Sequence, residues 1–134
     1  MSLYLKSFGI IYSMLNRKYR FHSRGGVKYT YKHGKTVRGP KASLVFSENE
    51  RGFTRVAVVV SKKVDKRAVV RNRIRRRIYE VIRQNFELVP KKRDYIISVY
   101  SRDLLTMPYL ELEKLIGELV TESKVCYTNP NGQE

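Results

Sequence analysis

Residues 61–86 read SKKVDKRAVVRNRIRRRIYEVIRQNF. Within them Val70, Ile74, Ile78, Val81, Ile82 and Phe86 recur mostly at steps of three and four. That spacing predicts an amphipathic helix whose apolar stripe faces a core. Lys and Arg fill nine of the sixteen positions 62–77, and Asp65 is the only acid there. Asp65 is placed to cap the helix, although basic residues crowd the first turn, where the helix dipole favours acids. A helix that keeps such repulsion suits a polyanionic partner, so it reads as a nucleic-acid contact.

The flanks supply the rest of a fold. Residues 54–60 contain the continuous run VAVVV, the pattern of a strand covered on both faces, expected at the sheet centre. Before it, Ala42, Leu44 and Phe46 alternate in an extended segment, and residues 47–52 (SENERG) read as a turn. After the helix, residues 94–100 (DYIISVY) form another strand. Pro108 then suits the first turn of a last helix, with Glu111 and Glu113 favourable near its N-terminus. Leu112, Leu115, Ile116, Leu119 and Val120 give that helix one apolar stripe. The order is helix, two or more strands, long helix, strand, helix: a small α+β sandwich with helices packed on a mixed sheet.

Upstream, residues 16–38 interleave basic residues with Tyr19, Phe21, Tyr29 and Tyr31. Ser23 could cap a short helix running through His33 and closed by a left-handed Gly34. Gly25 and Gly26 oppose it, each costing about 1 kcal/mol relative to Ala within a helix. Aromatics among cations can stack unpaired bases while the cations hold phosphates. Simple covering of the core explains them equally well from pattern alone.

Composition narrows the partner. The chain has 134 residues, enough for one domain, and a formal net charge of +16. Residues 1–47 hold ten Lys or Arg and no acid, whereas residues 103–134 hold six acids and two Lys. Such a balance favours RNA, DNA or an anionic surface over acidic small molecules. The single Cys126 excludes an intramolecular disulfide and fits a reducing cytoplasm. No apolar run reaches the roughly eighteen residues of a spanning helix. Residues 1–13 read as a disordered extension without a signal-peptide cleavage site, with Met14 an alternative start. Residues 14–124 are then one RNA-binding domain, and residues 125–134 a loose tail.

Catalytic chemistry has no foothold. Metal or acid–base work needs clustered His, Cys, Asp or Glu. His22 and His33 lack acidic neighbours, and Gly25-Gly26 lacks the ending and preceding strand of a phosphate loop. No catalytic or metal-ligating residue is expected.

The order of residues in the basic helix says more than its charge. Ser61-Lys62-Lys63-Val64, followed by Ala68-Val69-Val70-Arg71-Asn72-Arg73-Ile74-Arg75-Arg76, closely resembles the signature of the bacterial ribonuclease P protein component. Arg20-Phe21, the short helix with Lys32-His33-Gly34, and the strands on either side of the long helix fall where that family has them. The resemblance spans about residues 15–122.

It implies an α-β-β-β-α-β-α two-layer sandwich with a mixed sheet and a left-handed crossover, like the second domain of ribosomal protein S5. It also implies a division of labour. An RNA subunit cleaves precursor tRNA at the 5′ end with Mg²⁺, held mainly by that RNA and the substrate. The protein docks on the RNA and holds the single-stranded 5′ leader in a cleft between first helix and sheet. Mapped by the resemblance, Lys62, Lys63, Arg67, Arg71, Asn72, Arg73, Arg75 and Arg76 are the RNA-binding residues. The pairs Arg71/Arg75, Arg73/Arg77 and Asn72/Arg76 are i,i+4 neighbours, presenting rows of donors beside the apolar stripe. Val27, Tyr31 and Val45 match the leader cleft, where the family tends to show aromatics; only Tyr31 keeps one, so Tyr29 or Phe46 are the candidate substitutes.

The partners so implied are ribonuclease P RNA and precursor tRNA in the cytoplasm, with neither DNA nor membrane. The leading rival is a ribosomal or other basic RNA-binding protein with no enzyme partner. A DNA-binding helix is disfavoured because no short helix precedes this one in helix-turn-helix fashion.

Overall fold

In a computed structural model of the chain, the described residues are Arg20, 24–49 and 52–128. Residues 1–13, Met14 and the capping position Ser23 lie outside them. Helix α1 (Arg24–His33) leads into strands β1 (Lys35–Arg38), β2 (Ala42–Glu48) and β3 (Arg55–Val60). Helix α2 (Ala68–Gln84), a short 3-10 turn (Phe86–Leu88), β4 (Arg93–Val99), a second 3-10 turn (Arg102–Leu105) and helix α3 (Tyr109–Thr128) complete the chain. The strands lie in the order β1-β2-β4-β3, antiparallel except for the parallel β3–β4 pair.

Strand alternation sorts the sheet residues onto two faces. Ile97 of β4 pairs with Leu44 of β2 and Val58 of β3, and Leu44 pairs with Val37 of β1. This row belongs to the main core, with Ile74 and Ile78 of α2 and Leu112 and Ile116 of α3. One residue along, Val45, Ile96 and Ala57 point the other way and meet Val27 of α1. Helices α2 and α3 therefore cover one face, and α1 covers part of the opposite face.

The VAVVV strand is not central: β3 lies at the sheet edge, beyond β4. Its run is continuous because Val56, Val58 and Val60 serve the main core while Ala57 serves the α1 side. Val59 remains 38% exposed, and Arg20 makes a parallel bridge to Val56 along the outer edge. An apolar run reports apolar residues on both faces, not that both edges are paired.

Helix α2 buries Val70, Ile74, Ile78, Val81 and Ile82 as the spacing predicts, and also Tyr79. A fully buried Ile contributes about 1.5–3 kcal/mol, so Ile74 and Ile78, both 0% exposed, anchor the helix. Asn85 caps its end, donating through Nδ2 to the Val81 carbonyl and to Glu113 Oε2, each at 2.8 Å, which ties α2 to α3. Gly34 does not have the expected left-handed backbone. It is required by close approach: a Cβ there would sit 2.5 Å from the Thr30 carbonyl oxygen and 2.6 Å from that of Phe46. Helix α3 runs through Thr128, past the Lys124 boundary read from the sequence. No helix among the described residues is long and apolar enough to cross a membrane.

Candidate RNA-binding surface

The apolar stripe of α2 is seated on the sheet, which turns the remainder of the helix outward. Asn72, Arg73 and Arg76 are exposed on that outer side, with Lys62 and Lys63 exposed in the preceding turn. Asp65 is the only acid in this stretch, and it is buried. The cations at the flanks of the helix are instead engaged by the protein. Arg71 donates through Nη1 to the backbone carbonyls of Asp65 (3.1 Å) and Lys66 (2.8 Å), and Arg75 donates to Asn72 Oδ1. Arg77 turns inward, donating through Nη1 to the carbonyls of Leu104 (2.6 Å) and Leu105 (3.1 Å), and through Nη2 to that of Met107. The expected Arg73/Arg77 row of outward donors does not form, because Arg77 fastens the 102–107 segment to α2.

Asp65 does not cap α2 in the expected way. The N-cap residue is Arg67, which has no side-chain capping bond of its own. The Asp65 carboxylate accepts the Arg67 backbone N–H at 2.9 Å, and Arg67 Nε and Nη2 at 3.0 and 2.9 Å. It also accepts Arg102 Nη1 at 3.0 Å. Hydrogen bonds from the Arg67 side chain, then from its backbone N–H and from Arg102, hold this carboxyl far below the usual carboxylate range. In return Asp65 pushes the Arg67 guanidinium up.

The predicted cleft residues lie on the face of the sheet that α1 covers in part. Helix α1 brings Val27 against Val45, and Tyr31 places its hydroxyl 3.0 Å from Ser98 Oγ. Val27 and Val45 thus share one cluster, and Tyr31 reaches the same face of the sheet at Ser98. Tyr31 is 47% exposed. Phe46 is excluded as a substitute: it is fully buried on the opposite face, between Tyr95 and the Arg93 guanidinium. Tyr29 is exposed and stacks on His33, with ring centroids 4.2 Å apart.

Tyr100 was missed by sequence reasoning. It is 51% exposed and donates its hydroxyl to Ser43 Oγ at 2.5 Å. Ser43 and Ser98 are register partners on β2 and β4, so Tyr100 and Tyr31 are tethered to adjacent serines. The available signal was parity: residues 96, 98 and 100 share one face of an alternating strand.

Among the described residues no three His, Cys, Asp or Glu side chains are grouped to hold a metal. His33 Nδ1 lies 3.2 Å from the Tyr29 carbonyl, and Asp94 is engaged by Arg55 at 2.7 Å.

Comparison with known proteins agrees. The family described as Ribonuclease P matches residues 15–124. The chain is similar to the ribonuclease P protein component of Syntrophus aciditrophicus, 32% identical over 81% of this chain and 89% of that one. The corresponding component of Symbiobacterium thermophilum is 33% identical over 78% of this chain and 90% of its own length. Among solved structures, the Staphylococcus aureus RNase P protein superposes with a TM-score of 0.70 at 25% identity, covering 80% of this chain and 96% of that one. With the fold, the SKKV–RNRIRR helix and these relatives in agreement, the chain belongs to the ribonuclease P protein family, the non-catalytic protein component of a ribonucleoprotein endoribonuclease.

Proposed function

We propose that this protein docks on ribonuclease P RNA through the outer side of α2 and holds the 5′ leader of precursor tRNA in the cleft under α1. The observation that carries this reading is the exposed Asn72–Arg73–Arg76 surface on a helix whose other side is locked into the core. Lys62, Lys63 and Arg67 extend the surface before the helix, while Arg71 and Arg75 shape its flank. Forked guanidinium donors suit phosphates, and the Asn72 amide orients what the cations attract. In the cleft, Val27 and Val45 form an apolar floor and Tyr31 offers a ring face to an unpaired base.

Residues 14–124 act as one RNA-binding domain in this reading, in the cytoplasm, and neither DNA nor membrane is a partner. In this reading the Mg²⁺ of the reaction is held mainly by the RNA and the substrate, through the oxygen ligands that this cation favours. The test is cleavage of precursor tRNA by ribonuclease P RNA at low Mg²⁺, with and without the protein. A gain in cleavage with protein is expected; no gain refutes the assignment.

A further inference from the structure

Asp65 is the only acid among residues 62–77, and it lies within a surface read as binding a polyanion. On charge alone it weakens that surface. Its place in the fold gives it a different use. The carboxylate is covered, with 4% of its side chain exposed, while the side chains of Arg67 and Arg102 remain 64% and 60% exposed. Both guanidiniums donate to the same atom, Asp65 Oδ2, Arg67 Nη2 at 2.9 Å and Arg102 Nη1 at 3.0 Å. One oxygen therefore holds together two cations from distant parts of the chain, one before α2 and one after β4.

We propose that Asp65 is a positioning residue that orders Arg67 and Arg102 as a paired guanidinium site for an RNA phosphate, extending the docking surface from α2 onto the β4–α3 connection. Two guanidiniums brought this close repel each other unless an anion sits between their inner donors, which is where Asp65 lies. A guanidinium carries five N–H donors, so both side chains keep outward donors for the oxygens of a phosphodiester. The trio retains a net positive charge. Because the side chains are already held, less rotamer freedom is lost when RNA binds.

Neighbouring charges leave the pair to this task. The adjacent Asp103 is engaged by Lys41 at 3.0 Å, and Arg71 is engaged on the backbone carbonyl of Asp65 rather than on its carboxylate. The 102–107 segment is held beside α2 at a second point by Arg77, so the backbone that carries Arg102 is fastened to the helix that carries Asn72 and Arg73.

This inference rests on the reading of α2 as the RNA-docking helix, and the test separates the two. A ribonuclease P RNA transcript is titrated with the full chain and with Asp65→Asn, Arg102→Ala and Arg73→Ala over a series of KCl concentrations. Asp65→Asn raises the formal net charge from +16 to +17, so an account by charge alone expects tighter binding. Positioning predicts weaker binding instead. Arg102→Ala is expected to lower the magnitude of the salt slope by about 0.7–0.9, the value of one phosphate contact. A brace serving only the fold would lower thermal stability and leave that slope unchanged. Arg102 is exposed, so its variant carries the test alone should Asp65→Asn not fold. If Arg73→Ala weakens binding while Arg102→Ala leaves the slope unchanged, or Asp65→Asn binds as well as or better than wild type, the paired site is overturned. If Arg73→Ala also changes nothing, the docking role of α2 falls with it.

Discussion

Arg73 and Arg77 lie one helical turn apart in the same basic run, yet Arg73 is exposed while Arg77 turns inward onto backbone carbonyls. Replacing Arg77 with Met keeps most of the aliphatic stem and removes the guanidinium that donates to the carbonyls of Leu104, Leu105 and Met107. A hydrogen bond to a charged group contributes about 1.5–3 kcal/mol net, but three bonds from one partly buried head are not additive, so the loss is about 2–4 kcal/mol. With an unfolding entropy of about 2.1 cal/mol/K per residue, this corresponds to a fall in Tm of about 9–17 °C for a domain of this size. Arg73 is exposed, and its replacement by Ala is expected to stay within about 0.5 kcal/mol of wild-type stability. In RNA titrations the order reverses: Arg73→Ala lowers the magnitude of the salt slope by about 0.7–0.9, and Arg77→Met leaves it unchanged. Calorimetry and the salt series on both variants decide the matter. An Arg77 variant with unchanged Tm and a reduced slope refutes the assignment of Arg77 to the fold.

Two further outcomes are expected. Tyr31→Ala and Tyr100→Ala should each weaken binding of precursor tRNA to the holoenzyme, by about 1–3 kcal/mol per lost stack, and leave binding of a substrate without leader unchanged; equal losses on both substrates would place the rings outside the leader path. The Asp65 carboxyl is depressed below its ordinary value of 3.8 by Arg67 and Arg102, so its pairing contributes stability that is fully present above that value and is lost as pH falls through the depressed one. The stability difference between wild type and Asp65→Asn should therefore be constant near neutrality and narrow in acid; a difference that widens in acid would contradict the pairing.

The α2 core residues were legible because helix periodicity is a local property: Val70, Ile74, Ile78, Val81 and Ile82 announce one stripe and all are buried. The basic motif was legible for the same reason, since SKKV and RNRIRR are contiguous. Division of labour among the cations was not. Arg73 and Arg77 differ only in what lies across from them, and the carbonyls that take Arg77 belong to residues 27 and 28 positions away. Strand order was hidden likewise: VAVVV shows that β3 carries apolar residues on both faces, while its edge position depends on the return of β4. Strand β1 was not read as such, because among its four residues only Val37 is apolar and buried. Tyr100 escaped because the reading of 94–100 took it only as the strand's end.

The self-repulsion of the basic run supplies a reason for these partners. Nine cations on sixteen residues, most of them on one helix, oppose its formation in the absence of RNA. The protein answers with oxygen atoms of its own: the Asp65 carboxylate for Arg67, backbone carbonyls for Arg71 and Arg77, and the Asn72 amide oxygen for Arg75. Each bond offsets part of one cation's charge with an oxygen lone pair and also fixes its direction. The flank of the helix is thereby consumed in stabilising the free protein, and Arg73 and Arg76 are left facing outward. Along the helix itself the docking surface is narrower than the motif suggests, and its edge can be located: neutralising Arg71, Arg75 or Arg77 should be read first in the stability of the protein alone, and neutralising Arg73 or Arg76 first in its affinity for RNA.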